Sequence, residues 1–284
     1  MSHHVPVRAA GLLALLAVAT LPLAALAQPT TLAEDAATNY LHAAAAHLQN
    51  DDTDAAAEVL EVALQRSVAT PELLTLLAQV YQRQGKLERA ANMAEEALTM
   101  QPDYAPAHLQ LGDVYQDLGW FDSAGQCYRQ ALAVDPHAVA AKERLVRTLL
   151  LAGQPAAAAS TCRAFLVDDP SAWLQTALGD VLQAQGDLAG AAQAYAQALD
   201  TDPRCPGAHC GQAEVLLAQG KTDEASAAAR AALAAAPQLA RAHACLSRAC
   251  AASADYLGAY GHAVKAEQAG VDMSEVWALL QGGH

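Results

Sequence analysis

The chain of 284 residues is poor in aromatic and in positively charged side chains. Aromatic residues make up 5% of it, and 16 Lys and Arg stand against 30 Asp and Glu, which gives a net charge of −14. Binding to a nucleic-acid backbone depends on Lys and Arg that neutralise phosphates, so this balance argues against a nucleic-acid partner. Alternating runs of Val, Ile and Thr are also absent, which argues against a β-sheet fold.

Motifs that carry chemistry are missing as well. The sequence has no G-x-S-x-G nucleophile elbow. The string AQGKT at residues 218–222 fails as a phosphate-binding loop, because Val215 stands where that motif requires glycine. We therefore expect no catalytic residue and no cofactor.

Residues 1–27 have the layout of a secretory signal peptide. Arg8 precedes an apolar run, and Ala25-Leu26-Ala27 forms a small-residue end. Pro22 interrupts the run before it reaches the roughly 20 residues that span a bilayer. We expect cleavage after Ala27 and a periplasmic or secreted mature chain without a membrane span; the alternative is an uncleaved N-terminal anchor.

What the sequence does contain is a period of 33 or 34 residues, seen in three residue types. Glycine and proline recur in one register, with Asp51 and Ala254 standing where the first and last glycines are expected. The glycines are Gly85, Gly119, Gly153, Gly186 and Gly220, and the prolines are Pro102, Pro136, Pro170, Pro203 and Pro237. Alanine recurs at Ala56, Ala90, Ala124, Ala158, Ala191, Ala225 and Ala259.

This pattern predicts a helix, a tight turn, a second helix and a stop in each period. Glycine at the turn adopts the left-handed conformation without a Cβ clash. The periodic alanine lies where the two helices come closest, so a larger side chain there costs roughly 1–3 kcal/mol. Proline cannot continue a helix and marks the end of the second one.

Residues 105–138 carry the pattern most completely, with Leu111, Gly112, Tyr115, Gly119, Phe121, Ala124, Tyr128, Ala131 and Pro136. The chain thereby resembles the tetratricopeptide repeat (TPR) family. The resemblance implies an all-α fold, an α-solenoid in which about seven helix pairs form a right-handed superhelix. Its seven repeats span 37–70, 71–104, 105–138, 139–171, 172–205, 206–239 and 240–273, after a linker at 28–36.

Residues 274–284 are expected to form a C-terminal capping helix and tail. Asp272 and Glu275 have a spacing similar to a capping box, and Val276, Trp277 and Leu280 share one face. Such a helix would cover the last repeat.

The resemblance also implies a concave groove lined by the first helix of each repeat. Carried over by position, the groove residues are Gln79, Gln82, Arg83, Leu109, Asp113, Gln116, Asp117, Glu143, Arg147, Leu150, Trp173, Thr176, Asp180 and Gln183. Asp113 and Asp117 form an acidic section, and Arg147 with Arg144 forms a basic one, so a partner segment of alternating charge would suit the groove. The family's clamp for a terminal carboxylate is not found, which disfavours chaperone tails as partners.

The expected function is a scaffold or adaptor that binds a protein or peptide in this groove, within an envelope, secretion or assembly complex of the periplasm. Two alternatives are an enzyme that uses a groove carboxylate, and a metal or redox protein that uses Cys205, His209, Cys210, His243 and Cys245. The cluster lacks C-x-x-C and H-x-x-x-H spacings. His108, His209 and His243 also share the fourth position of their repeats, which favours packing roles, and the six cysteines are expected to be mostly buried free thiols.

Overall fold

The structure is a computed structural model that describes residues 28–282. This range contains fifteen helices and no strand. The helices are α1 Gln28–Gln49, α2 Thr53–Gln65, α3 Pro71–Arg83, α4 Leu87–Met100, α5 Ala105–Asp117, α6 Phe121–Val134, α7 Val139–Leu151, α8 Pro155–Asp168, α9 Ala172–Ala184, α10 Leu188–Thr201, α11 Pro206–Ala218, α12 Thr222–Ala235, α13 Ala240–Ala252, α14 Tyr256–Gln268 and α15 Ser274–Gly282. The all-α fold class predicted from the sequence is confirmed. Residues 1–27, the predicted signal peptide, lie outside the described residues.

Helix α1 begins at Gln28, so residues 28–36, for which the sequence predicts a linker, are helical instead. Proline at position 29 falls in the first turn, where a helix tolerates it because the first backbone N–H groups have no intrahelical partner. The following Leu, Ala and Glu residues are good helix formers.

The chain divides into two compact units, one up to Gln110 and one from Leu111 onward. In the first unit α1 packs on α2, and α3 packs on α4. In the second unit the same pairing joins α7 with α8, α9 with α10, α11 with α12 and α13 with α14. Consecutive helices thus pack on each other in pairs within each unit.

The turn inside each helix pair is closed by a residue in the left-handed conformation. The five turn glycines have φ between 68° and 80°, and the two substitutes, Asp51 and Ala254, adopt the same conformation at 59° and 61°. At Gly85 the backbone N–H bonds to Gln82 O at 2.9 Å, and the N–H of the next residue bonds to Tyr81 O at 2.9 Å. This pair of bonds is the Schellman motif, which satisfies carbonyls at a helix end.

The repeats end in two different ways. At the end of each interior repeat an extended residue follows the second helix and precedes proline, as with Gln101 at φ −138°. In the first and last repeats a left-handed residue, Ser67 or Gly270, stands there instead. The next residues, Val68 and Val271, donate their N–H groups to Ala63 O at 2.9 Å and to Ala266 O at 3.0 Å. Proline has no N–H, so only a different residue can form this bond.

All seven periodic alanines are fully buried, with exposed fractions of 0%. Protein interiors are close-packed. Each of these alanines therefore has little free space around it for a larger side chain.

Two buried tyrosines in the second compact unit lie directly against helical glycines. A Cβ atom on Gly112 would come 2.5 Å from Tyr128 Cε1, and one on Gly179 would come 2.5 Å from Tyr195 Cε1. A Cβ atom on Gly211 would also overlap the Tyr195 ring, since it would lie 2.7 Å from Cε2. Because these positions are glycine, each tyrosine ring fits between the helices, and its hydroxyl group lies on the opposite side of them.

Helix α15 packs on α13 and α14. Met273 and Val276 are buried in a cluster with Ala263 and Ala266, and Trp277 and Leu280 pack against its edge. Asp272 accepts hydrogen bonds from the backbone N–H and the hydroxyl of Ser274, which begins the helix. Helix α15 therefore covers apolar residues of the last helix pair.

Candidate functional site

A pocket of about 570 Å³ lies in the second compact unit, along α7, α9 and the start of α11. Six of the predicted groove residues line it together: Glu143, Arg147, Leu150, Trp173, Thr176 and Asp180. Five residues that were not predicted for the groove complete the lining: Val139, Val146, Ala177, Gly207 and Cys205, the last of which belongs to the cluster of the metal alternative.

The helical period explains why these side chains meet. On α7 the lining residues at 139, 143, 146, 147 and 150 recur at intervals of three and four, which places them on one face. On α9 the residues at 173, 176, 177 and 180 do the same. The two faces meet across the pocket because α7 and α9 begin successive repeats.

The pocket wall is largely apolar. Val139 is 50% exposed, and Leu150 and Trp173 are half-buried. Exposed apolar surface that gathers in a concave site marks a binding surface more often than scattered apolar residues do.

The charged side chains at the pocket differ in whether they already have partners within the protein. Glu143 and Arg147 are exposed, and neither forms an ion pair with any residue between 28 and 282. Asp180, in contrast, accepts hydrogen bonds from Tyr195 at 2.8 Å and from Arg241 Nη2 at 2.8 Å. The Asp180 carboxylate is therefore already paired with other residues of the chain.

Arg241 joins helices α9, α11 and α13 through two carboxylates. Its Nε and Nη2 atoms donate to the two oxygens of Glu214 at 2.7 Å each, and Nη2 also reaches Asp180. Gln183, a predicted groove residue, donates to Glu214 at 2.8 Å and accepts from Tyr195 at 2.9 Å. Burial opposes ionisation of Glu214, but the Arg241 guanidinium holds the pKa of that carboxyl below its usual value.

A second network joins α7 to α5 and α6. Asp113 accepts from Arg144 Nε at 2.7 Å and from the Tyr128 hydroxyl at 2.8 Å, and Thr148 donates to Gln116 at 2.8 Å. Burial and the charge of Asp113 raise the pKa of Tyr128 above its ordinary value. Asp113 and Arg144 therefore neutralise each other, so the predicted acidic and basic sections are only partly open to a partner. Asp117 is exposed.

The remaining predicted groove residues lie in the first compact unit. Gln82 accepts a hydrogen bond from Gln110 Nε2 at 2.6 Å, Gln79 and Leu109 are half-buried, and Arg83 is exposed. None of these four residues lines the pocket.

The histidines at the fourth repeat position have a packing role. In each case Nε2 meets the carbonyl oxygen of the proline six residues earlier. The pairs are His108 with Pro102 at 2.8 Å, His209 with Pro203 at 3.0 Å and His243 with Pro237 at 3.2 Å. His243 Nδ1 also lies 3.0 Å from His262 Nδ1. Among the described residues there is no group of three or more His, Cys, Asp or Glu that could hold a metal ion, so the metal alternative is not favoured.

All six cysteines are free thiols. Burial raises the pKa of Cys162 to about 12, of Cys210 to about 11 and of Cys245 to about 12. Buried thiols that stay protonated are poor nucleophiles and poor metal ligands. Cys205 differs from these three, because it is half-buried and lines the pocket with its sulfur 3.5 Å from Thr176 Oγ1.

Sequence comparison identifies the family. Two models of the tetratricopeptide repeat match the chain, one over residues 109–172 and 176–240 and the other over residues 71–114. The chain belongs to the tetratricopeptide repeat family. No curated protein is significantly similar to it.

Solved structures of the same family share the fold. A tetratricopeptide repeat protein from Parabacteroides merdae is 19% identical, with a TM-score of 0.68 over 87% of this chain and 98% of its own. PilW, a type IV pilus biogenesis factor, is 22% identical, with a TM-score of 0.55 over 69% of this chain and 91% of its own. Yeast Tom70 is 15% identical, with a TM-score of 0.67 over 88% of this chain and 53% of its own. These similarities confirm the α-solenoid fold class.

No helix within residues 28–282 has both the length and the apolar character that a membrane crossing needs.

Proposed function

We propose that the protein is a scaffold or adaptor that binds a segment of a partner protein on the face formed by α7 and α9. The observation that carries the proposal is the pocket, where six groove positions from two successive repeats converge on apolar walls. Solenoids use extended surfaces of this kind to hold partners.

The distribution of internal hydrogen bonds supports this position for the site. Asp113, Gln116 and Gln183 use their polar groups to join neighbouring helices. Glu143, Leu150 and Trp173 instead leave polar and apolar surface available in the pocket. A partner that docks there displaces water from apolar surface without breaking the bonds between repeats.

We further propose that the mature chain acts in the periplasm, in an envelope, secretion or assembly complex, and that it has no catalytic step of its own. The support for export is the signal-peptide layout of residues 1–27. In this proposal the pocket only binds a partner. A nucleophilic thiol needs a base beside it, and the half-buried thiol of Cys205 has no histidine among the residues that line the pocket.

The experiment is affinity capture of residues 28–284 from the exported fraction of the source cell, with two variants compared. Leu150→Gln places a polar group in the pocket, and Val167→Gln makes the same kind of change at a residue of α8 that is 81% exposed. Equal helical content and melting temperature of the two variants establish that both are folded.

We expect the partner to be retained by Val167→Gln and lost by Leu150→Gln. Retention by both folded variants would show that the partner binds elsewhere.

A further inference from the structure

Helix α7 carries four charged side chains within six residues, and they fall into two classes. Lys142 donates to Asp169 at 3.0 Å and Arg144 donates to Asp113 at 2.7 Å, so both are neutralised inside the protein. Glu143 and Arg147 stand at the pocket without an ion pair to any described residue. The same helix thus leaves one negative and one positive group to a ligand.

Glu143 and Arg147 are one helical turn apart. Side chains at this spacing have Cβ atoms about 5–6 Å apart. In an extended peptide, the residues on either side of a central residue are about 6.6 Å apart and point to one face, while the central side chain points to the other face. Two opposite charges that flank a single residue therefore match the spacing of the two groups on α7.

The pocket beside these charges accepts an apolar side chain. Its volume of about 570 Å³ exceeds that of a single side chain and leaves space for the adjoining backbone. Trp173 and Leu150 supply the apolar contact area, and aromatic side chains pack well against an indole ring.

We infer that the occupant of this pocket is a linear protein segment in which one large apolar residue is flanked by one basic and one acidic residue. The basic residue pairs with Glu143 and the acidic residue with Arg147, while the apolar side chain points to the opposite side of the segment and packs on Trp173 of α9. This inference rests on the proposed function and specifies the chemistry of its ligand.

The test uses two dye-labelled synthetic peptides of identical composition, Gly-Ser-Lys-Phe-Glu-Ser-Gly and Gly-Ser-Glu-Phe-Lys-Ser-Gly, both amidated. Fluorescence anisotropy measures their affinity for the mature chain. Reversing the chain direction also reverses the charge order, so the inference includes one fixed chain direction for the bound segment. The wild-type protein should then prefer one peptide by roughly three- to tenfold at low salt, the range of two exposed ion pairs. The double variant Glu143→Arg with Arg147→Glu should invert that preference.

The matched control is the double variant Lys221→Glu with Glu224→Arg, which exchanges two exposed charges at the start of α12, away from the pocket. It should keep the wild-type preference. Position is checked by alkylation with N-ethylmaleimide, because the preferred peptide should slow modification of Cys205, the half-buried thiol of the pocket.

Three outcomes would overturn the inference: binding of neither peptide, equal binding of both by wild type and swapped protein, or a preference without protection of Cys205. If Leu150→Gln still abolishes partner capture in any of these cases, the proposed function stands and only the ligand chemistry is wrong. If capture is also insensitive to Leu150→Gln, both fail.

Discussion

Replacement of Gly211 by alanine should destabilise the second compact unit. The Tyr195 ring is fully buried between Gly179 and Gly211, and a Cβ atom on either glycine would overlap it. The ring cannot swing away at low cost, because its hydroxyl group is bonded to Asp180 at 2.8 Å and to Gln183 at 2.9 Å. The added methyl group must therefore displace either the ring or helix α11.

The magnitude follows from two opposing effects. Overpacking of a close-packed core costs about 1–3 kcal/mol. Alanine is a better helix former than glycine by about 1 kcal/mol, which offsets part of that cost. We expect a net loss of up to about 2 kcal/mol, and each kcal/mol lowers the Tm of a chain of this size by about 2–4 °C.

Thermal unfolding followed by circular dichroism measures this effect, and Gly125→Ala is the matched control. Gly125 is also buried in a helix, but a Cβ atom there would meet only Arg129 Nη1 at 3.7 Å and Leu145 Cδ1 at 3.8 Å, which are ordinary contacts. The control should therefore raise the Tm through helix propensity alone. A rise of similar size for Gly211→Ala would refute the close contact between Tyr195 and α11.

Three further experiments test the repeat register and its last pair of helices. Ala124→Leu should lower the Tm by overpacking a fully buried crossing, at a cost of about 1–3 kcal/mol, and an unchanged melting curve would contradict the register. Ala254→Gly should raise the Tm, because Ala254 adopts a left-handed φ of 61° at a cost of about 1 kcal/mol. Gly119→Ala should lower the Tm for the same reason, since Gly119 is also left-handed. If both variants shift the Tm in the same direction, this reasoning is wrong. Burial lowers the pKa of His243 and of His262 in the folded protein. Their contribution to the free energy of unfolding is therefore fully present above about pH 6.5, the pKa of an unperturbed histidine, and is lost as the pH falls through their pKa values in the folded protein. A pH series of Tm values should show this fall, and His262→Gln should reduce it.

The periodic residues made most of the helical architecture predictable. Gly85 and its counterparts indicated the turns because few residues adopt a left-handed conformation at low cost. The register was sufficient to place Asp51 and Ala254 in that conformation as well, although neither residue type favours it. The linker prediction for residues 28–36 was wrong, because a segment outside the repeat register carries no periodic residue that reports its helical state.

The groove could be predicted only in part. Positions within one helix follow from the helical period, which places Glu143, Arg147 and Leu150 on the face of α7 that lines the pocket. Bonds between helices depend on how neighbouring repeats are placed, so the capture of Asp113 by Arg144 was not foreseen. A signal for such bonds does exist in the sequence, since complementary polar residues on successive first helices recur about one repeat apart.

The sequence encodes where the stacking of helix pairs stops as well as how it proceeds. Val68 and Val271 supply the N–H group that closes the second helix of the first and the last pair, while proline occupies the same place at the end of every interior pair. A shorter protein made by excising residues 206–239 would keep both closures, whereas one cut after Asp202 would lose the terminal one. Engineers who wish to alter the length of this protein should therefore exchange interior modules and leave the two ends intact.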